Sequence, residues 1–270
     1  GSGVVVVRYL GGSASSGGSV AAGTGTASGY TLQTFNANDT LTFNALQTSF
    51  GGTISGAGSF IANANGGKFI FPNNNTYSGG TTISAGILQA GMAGTTGTIG
   101  ATNSSIIDNG SLIFNRSDTV SFAHNISGTG TVTALTTPEL TLTGVNTYTG
   151  QTTLDANSII FRNNSPPTTS GFAGSGTVTI EPATSSSFSS TFNANYTYSS
   201  TISRLTLGSS SNTADIVLSG NAAIAGPVSL IGGTLYVNGA LSTTDSTTGD
   251  ITITGVTGLS GMSSGSITLA

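Results

Sequence analysis

The chain has 270 residues, of which only 5% are charged, and five basic against nine acidic side chains give a formal net charge of −4. So few positive charges exclude a nucleic-acid binder, because neutralised phosphates supply most of that affinity. The absence of cysteine excludes disulfides and thiolate metal sites, and no apolar run approaches the ~20 residues of a membrane-spanning helix.

The N-terminal residues contain no repeat. Gly1-Ser2 is interpreted as a cloning scar, so the natural start of the protein is expected to lie elsewhere. Val4–Val7 is the longest purely apolar run and is predicted to form an early coil of the fold inferred below. The stretch from Gly11 to Gly25 lacks the lysine of a phosphate-binding loop and is predicted to form flexible turns.

From residue 40 onward, apolar and small polar residues alternate in short runs bounded by Gly and Asn. This period of two, in β-branched residues, predicts strands. Gly or a β-branched residue interrupts nearly every window long enough for a helix, so we expect little or no helix. The clearest runs are 40–43, 130–133, 140–143, 177–180 and 251–254.

A unit of 71 residues occurs twice in the same internal order. Residues 69–83 match residues 140–154, residues 41–44 match residues 112–115, and Ile54–Gly58 matches Ile126–Gly130. A sandwich or barrel does not need the same strand order twice, whereas a solenoid does, because each coil stacks on its neighbour.

The repeat therefore predicts a β-solenoid of about eleven coils, roughly 24 residues each, with three coils in one unit. Residues 3–270 are predicted to form a single domain, with units at about 41–111 and 112–182 and degenerate coils over 183–270. Neither end carries an obvious polar or helical cap, which predicts a piece of a longer array.

A smaller motif, Phe followed three residues later by Asn, recurs along the chain. We interpret the Phe as filling the core at a strand end, and the Asn as occupying a turn where positive φ is tolerated. The five instances are Phe35/Asn38, Phe71/Asn74, Phe122/Asn125, Phe161/Asn164 and Phe192/Asn195.

Residues 69–91 and 140–161 together resemble the autotransporter-associated β-strand repeat, whose core is Asn-Thr-Tyr-Ser/Thr-Gly-x-Thr-Thr. The resemblance implies a right-handed parallel β-helix that serves as a bacterial autotransporter passenger. It implies that the passenger is displayed at the cell surface or outer membrane through a barrel outside these residues. It also implies that the passenger can be released from the cell. Residues 51–54 and 232–235, together with the Phe-x-x-Asn motif, also resemble the tetrapeptides of chlamydial polymorphic outer-membrane proteins.

The repeat core is predicted to have a structural role. Tyr77 and Tyr148 are expected to lie over the preceding coil with wet hydroxyls. Gly79 and Gly150 are expected to supply a turn conformation that other residues avoid. The full set of structural repeat residues is Asn75, Thr76, Tyr77, Gly79, Thr81, Thr82, Asn146, Thr147, Tyr148, Gly150, Thr152 and Thr153.

Reactive groups are sparse, so we expect no enzyme, no cofactor and no metal. His124, the one histidine, is expected to be a solvated turn residue. Asp245 and Asp250 flank a loop that has oxygen ligands for calcium but fits no known calcium repeat. A polysaccharide-cleaving β-helix stays open as an alternative, since coils can bring distant acids together, and ice binding through Thr-x-Thr ladders is another.

The leading hypothesis is an adhesin or self-associating surface rod whose partner is a host-cell protein, a glycan or another copy. Tyr196, Tyr198 and Arg162 are the candidate binding residues, although the spacing of the two tyrosines equally fits residues that cover the core. Residues 162–171, with Pro166-Pro167, are the candidate loop leaving the helix. The alternative function is a stalk that spaces or promotes export.

Overall fold

The computed structural model describes residues 5–10, 15–16, 19–22, 30–35, 40–43, 47–244, 250–260 and 266–268, with side chains described for 49–244 and 250–254. Within these residues the protein is all β, with parallel strands stacked as a solenoid of about ten turns. This confirms the predicted fold class. None of the described residues forms a helix long and apolar enough to span a membrane.

The first strands do not belong to the solenoid. Strand β1 (Val5–Leu10) pairs antiparallel with β4 (Tyr30–Phe35), which pairs antiparallel with β3 (Ser19–Ala22). The expectation that Val4–Val7 forms an early coil is therefore wrong for its described part. An apolar run predicts a strand but carries no information on whether its partner runs parallel or antiparallel.

The solenoid begins with β5 (Thr40–Phe43), whose two edges are both paired. Strand β2 (Ser15–Ser16) pairs antiparallel on one side and β7 pairs parallel on the other. The remaining strands are β6 (Gln47–Ser49), β7 (Ser59–Phe71), β8 (Thr81–Gly94), β9 (Ser105–Asp108), β10 (Ser111–Arg116), β11 (Val120–Phe122), β12 (Asn125–Ser127), β13 (Thr131–Ala134), β14 (Glu139–Leu142), β15 (Thr152–Arg162), β16 (Gly171–Glu181), β17 (Phe192–Ala194), β18 (Thr197–Tyr198), β19 (Ile202–Gly208), β20 (Ile216–Leu218), β21 (Ala222–Ile224), β22 (Val228–Val237), β23 (Ala240–Thr243), β24 (Ile251–Ser260) and β25 (Ser266–Thr268).

Each coil passes three faces, which the strand register defines. Face 1 stacks Leu41, Phe60, Thr81, Ile106, Ile126 and Asn146. Face 2 stacks Thr48, Phe69, Leu88, Leu112, Val132, Thr152, Phe172 and Tyr198. Face 3 stacks Val120, Leu140, Ile159, Val178, Leu205, Val228 and Ile251.

One inward column of face 2 alternates large and small side chains from coil to coil. It runs Phe71, Ala90, Phe114, Ala134, Leu154 and Gly174. Coils are only ~4.8 Å apart, so in this column each large side chain has a small residue at the neighbouring level. Volume therefore balances across pairs of coils, which is how a tight core fills without voids.

The 71-residue unit is not three coils. Three steps of pairing lead from Leu41 to Ile106 on face 1, whereas Leu112, the sequence equivalent of Leu41, lies on face 2. Likewise Phe69 lies on face 2 and its equivalent Leu140 on face 3. The unit thus spans three coils plus one face, so the second copy is rotated by one face.

The Asn residues of the Phe-x-x-Asn motif tie coils together. In the described motifs the Phe is buried, as predicted, but none of the Asn residues has positive φ. Instead Asn74, Asn125 and Asn164 each accept a backbone N–H from the next coil through Oδ1, from Gly97, Val145 and Ala183, at 2.8–3.0 Å. The amide side chain is selected because it reaches across one coil spacing. Asn38 lies outside the described residues.

The predicted loop at 162–171 does not leave the helix. Thr168 N donates to Asn146 O (3.2 Å), Ser170 N donates to Gly150 O (3.3 Å), and Thr169 is buried. The proline pair lacks backbone donors, but the residues after it still follow the previous coil. The prediction was therefore wrong, since proline removes a ladder bond without requiring the chain to protrude.

Candidate functional site

The two blocks that recur in sequence contact each other in space. Asn-Thr-Tyr-Ser-Gly (75–79) lies on Ile54–Gly58 of the preceding coil, and Asn-Thr-Tyr-Thr-Gly (146–150) lies on Ile126–Gly130. In both copies the backbone N–H of the Thr donates to the Ile carbonyl, at 2.9 and 2.7 Å. The two blocks recur together because the Ile-to-Gly block of one coil is hydrogen-bonded to the Asn-to-Gly block of the next.

The asparagines that open the repeat core are buried. Asn75 Oδ1 accepts the N–H of Ile54 (2.8 Å) and its Nδ2 donates to Thr98 O (2.9 Å), so it bridges the coils on either side. Asn146 Nδ2 donates to Gly144 O (2.7 Å). Thr81 and Thr152 are the first residues of β8 and β15, while Thr82 and Thr153 follow on the outer surface.

The repeat tyrosines point inward, contrary to the expectation of wet hydroxyls. Tyr77 and Tyr148 are 1% and 0% exposed, and their hydroxyls hydrogen-bond Thr81 Oγ1 (2.7 Å) and Thr152 Oγ1 (2.6 Å). Burial raises the pKa of both phenols well above 10. A threonine four residues on satisfies the hydroxyl internally, so the polar tip does not need water.

Gly79 and Gly150 are required for a different reason from the one predicted. Neither has positive φ. A Cβ on Gly79 would overlap the carbonyl of Gly58, and a Cβ on Gly150 would overlap the carbonyl of Gly130. The residues with positive φ are instead Gly56 (φ 110°) and Gly128 (φ 107°), which lie in the Ile-to-Gly blocks of the preceding coils. Gly79 and Gly150 permit close approach of two backbones.

Two titratable groups are buried in the coils around the second repeat. Asp108 is fully buried, stacked beside Ile83, and its Oδ1 accepts Gly110 N–H (3.0 Å). Burial raises the pKa of Asp108 to about 6. His124 is 5% exposed and its ring stacks on Phe122 with centroids 4.2 Å apart. Burial lowers its pKa, so the prediction of a solvated histidine was wrong.

Three of the remaining described acids each have a fixed partner. Asp118 pairs with Arg116 (2.7 Å), Glu181 pairs with Arg162 (2.6 Å), and Asp215 Oδ1 accepts Thr234 N–H (2.7 Å). Nowhere in the described part of the chain do three His, Asp or Glu side chains come together as a metal site would need. Asp245, one of the two acids proposed for calcium, lies outside the described residues.

Arg162, predicted to be a binding residue, is held by its neighbour. Its Nε donates to Glu181 Oε1 on the next coil, where the two residues are direct register partners. The side chains remain 37% and 21% exposed. Arg162 therefore lies on the surface of face 3 as part of a ladder contact between coils.

Face 3 presents the most regular surface. A column of register partners crosses seven successive coils, and here it is termed the hydroxyl column: Ser121, Thr141, Ile160, Thr179, Thr206, Ser229 and Thr252. Ile160 lacks a hydroxyl and Thr141 is buried, and the other five residues lie at the surface. The Thr-x-Thr pairs considered for ice binding do not form one array. Thr131 and Thr133 lie on face 2, and Thr24-Gly25-Thr26 lies outside the described residues.

Tyr196 and Tyr198 line an opening between two coils. Tyr196 is 5% exposed and its hydroxyl donates to Pro167 O (2.7 Å), so it belongs to the core. Tyr198 is half-buried and stacks on Phe172. The opening, termed here the slit, has a volume of about 650 Å³ and is lined by Asn195, Tyr196, Thr197, Tyr198, Gly220, Asn221 and Ala223.

Sequence reasoning missed the far wall of the slit and the hydroxyl column. Both arise from register between residues that are 19 or more positions apart, and register is not readable once the repeat has faded. The one available signal was the weakening of the repeat beyond residue 182, which marks where coil length changes.

Comparisons with known proteins agree with this architecture. The family model of the passenger-associated-transport repeat matches residues 64–90 and 139–156, which contain both Asn-Thr-Tyr cores. The chain is 38% identical over 90 residues to the adhesin BmaC autotransporter of Brucella suis biovar 1 (strain 1330). That match covers 32% of this chain and 3% of the relative. No solved structure matches.

Both repeat matches coincide with the stacked blocks described above, and the relative is itself named as an autotransporter. Residues 64–90 and 139–156 thus carry passenger-associated-transport repeats, and together with the similarity to an autotransporter they indicate a passenger domain of the cell surface or outer membrane.

Proposed function

We propose that this passenger is adhesive, and that it attaches to a host surface or to another copy through the outer surface of its coils. The observation that carries the proposal is the hydroxyl column, in which six of seven successive coils contribute a Ser or Thr to face 3. The name of the Brucella relative, an adhesin, supports the same conclusion. Many modest polar contacts summed over such a face give affinity without a deep pocket.

The experiment is binding of the purified chain, immobilised on beads, to cultured host cells and to beads that carry the same chain. In the test variant Thr179→Lys is combined with Thr206→Lys, which places two like charges on adjacent coils of the hydroxyl column. The matched control combines Thr133→Lys with Thr153→Lys, which are adjacent outward residues on face 2. We expect the face 3 variant to lose binding and the face 2 variant to keep it.

If wild-type beads attach to neither cells nor each other, adhesion by this chain is refuted. The alternative is then a structural stalk that spaces or promotes export of other passenger regions. It is supported by the continuous ladder through the coils of the repeated region. A stalk predicts that both lysine variants behave like wild type in every binding assay.

We further infer that the chain acts without catalysis. Glycoside hydrolysis requires two carboxylates about 5–9.5 Å apart and free to act. Three of the described acids already have partners. Asp118 and Glu181 are ion-paired with arginines, and Asp215 accepts a backbone N–H. Incubation with a panel of polysaccharides should release no reducing ends, and measurable release would contradict this inference.

A further inference from the structure

The parallel ladder on face 2 breaks once between neighbouring described coils. Strand β18 pairs only with β16, and β21 pairs only with β23. On either side of the break the two coils are joined, by Ser219 N to Ala194 O (3.3 Å) and by Ala225 N to Ile202 O (2.9 Å). The slit is therefore a local opening with hydrogen-bonded ends.

The walls of the slit present backbone groups that have no strand partner. Thr197 N and Ser199 N donate to Ser170 O and Phe172 O of the preceding coil. Backbone groups alternate in direction along a strand, so those of Tyr196 and Tyr198 face the next coil. The Tyr196 carbonyl lies close against Gly220, and the Tyr198 backbone faces the slit. On the other wall Ile224 O accepts Thr244 N (2.9 Å) from the following coil, so the backbone of Ala223 faces the slit.

An aromatic ring forms part of the lining. Tyr198 stacks on Phe172 of the preceding coil with centroids 5.8 Å apart and planes at 26°. Tyr198 lines the slit together with Gly220 and Ala223 of the next coil, which contribute almost no side-chain volume. The Tyr198 hydroxyl is buried and has no hydrogen-bond partner among the described residues.

The lining and size of the slit restrict its ligand. Asn, Tyr, Thr, Gly and Ala line it, with no charged side chain, so a charged ligand gains no ion pair. Its volume of about 650 Å³ falls within the range of small-molecule pockets, roughly 300–1,000 Å³. The Cα atoms of β18 and β21 approach within 8 Å, closer than the ~9.6 Å that an inserted strand would need between its neighbours.

We propose that the slit binds an uncharged sugar residue of a surface glycan. Sugar hydroxyls both donate and accept, which matches the backbone groups of Tyr198 and Ala223 that face the slit, the Asn195 amide and the Asn221 Nδ2, whose Oδ1 already accepts Ala240 N–H. The apolar face of a pyranose ring stacks on an aromatic ring such as Tyr198. The inference rests on the proposed adhesive function and assigns it a site and a ligand class.

The test uses the whole chain and saturation-transfer NMR with methyl glycosides of glucose, galactose, mannose and N-acetylglucosamine. N-acetylneuraminic acid and glucuronic acid serve as charged comparators. Ala223→Leu fills the slit from an exposed position, and Ser242→Leu, its register partner one coil further on, is the matched control outside the slit. Thermal unfolding checks that both variants fold.

At least one neutral glycoside should bind the wild type and exceed both acids. Ala223→Leu should weaken that binding by about tenfold or more, and Ser242→Leu should change it by no more than about twofold. Three outcomes would each overturn the inference. They are the absence of saturation transfer to every neutral glycoside, stronger binding of the acidic sugars, and unchanged affinity in Ala223→Leu. If wild type and Ala223→Leu beads adhere to cells alike, the slit fails while adhesion stands. If neither adheres, the proposed function fails.

Discussion

The coils of the repeated region and the coils that follow it differ in how evenly they stack. Between Asn125 and Val145 one coil takes 20 residues, and the ladders on all three faces continue. Between Gly174 and Thr201 one coil takes 27 residues, and the next level opens into the slit. The same parallel backbone pairing serves both regions, but it stays continuous on face 2 only in the first.

The difference teaches that a surface can open between coils while the core beneath it stays filled. Both regions have buried interiors, with Phe161 and Phe172 in one and Phe188 and Phe192 in the other. The added residues lie at the corners between strands, where they alter which backbone groups meet. A solenoid can therefore acquire a cleft without losing its core.

The largest expected effect concerns close approach in the repeated region. Gly150→Ala places a Cβ against the carbonyl of Gly130, and the two coils must separate to admit it. We expect a loss of about 3 kcal/mol in the free energy of unfolding, at the upper end of overpacking costs. Urea denaturation measures it.

Gly94→Ala is the control for Gly150→Ala, since a Cβ at Gly94 meets no atom within 4 Å. Its cost should stay within about 1 kcal/mol. Equal losses in the free energy of unfolding of the two variants would show that the coils at Gly150 separate at little cost, which would contradict the prediction.

The second prediction concerns pH. Burial raises the pKa of Asp108 to about 6 in the folded chain, above its unfolded value of about 3.9. The folded state therefore favours the neutral acid. The contribution of this group to the free energy of unfolding is fully present below about pH 4. It is lost as the pH rises to about 6, and the loss is about 3 kcal/mol at most.

Asp108→Asn removes this titration, so the free energy of unfolding of the variant should rise relative to that of the wild type from pH 4 to pH 7. Unfolding free energies at four pH values measure the gain. His124, whose lowered pKa opposes folding at acid pH, is present in both proteins and cancels. A difference between the two proteins that does not change with pH would refute the assignment.

The third prediction compares tyrosines of the two regions directly. Tyr148→Phe removes the hydroxyl that bonds Thr152 and should cost about 1–2 kcal/mol. Tyr198→Phe removes a buried hydroxyl without a partner and should leave stability unchanged or raise it slightly. Thermal unfolding of both variants side by side decides, and an equal loss in both would mean that the Tyr198 hydroxyl is satisfied after all.

The smallest expected effect belongs to the ion pair on face 3. Arg162 and Glu181 are partly exposed, so solvent screens their attraction. Arg162→Met keeps the stem and removes the charge, and should cost less than about 1 kcal/mol. A double-mutant cycle with Glu181→Gln isolates the pair, and a coupling well above that value would make it a main support of the ladder.

Sequence patterns predicted the secondary structure and the stacking correctly, because a strict period of two and a recurring block both follow from local contacts. They could not identify which contact each residue makes. Gly150 was assigned to a turn and Tyr148 to the surface, since a sequence does not show that Gly130 and Thr152 lie beside them. His124 looked like a turn residue because the sequence does not show that its ring packs into the interior beside Phe122.

The sequence by itself determined that this chain is an all-β solenoid with two copies of one structural block, because coils that stack must repeat the residues that meet. Only the tertiary structure decided that the second copy is rotated by one face, that a buried acid lies in the core, and that a slit separates β18 from β21. These features depend on the exact length of each coil, and length acts through the register of strands that are distant in sequence.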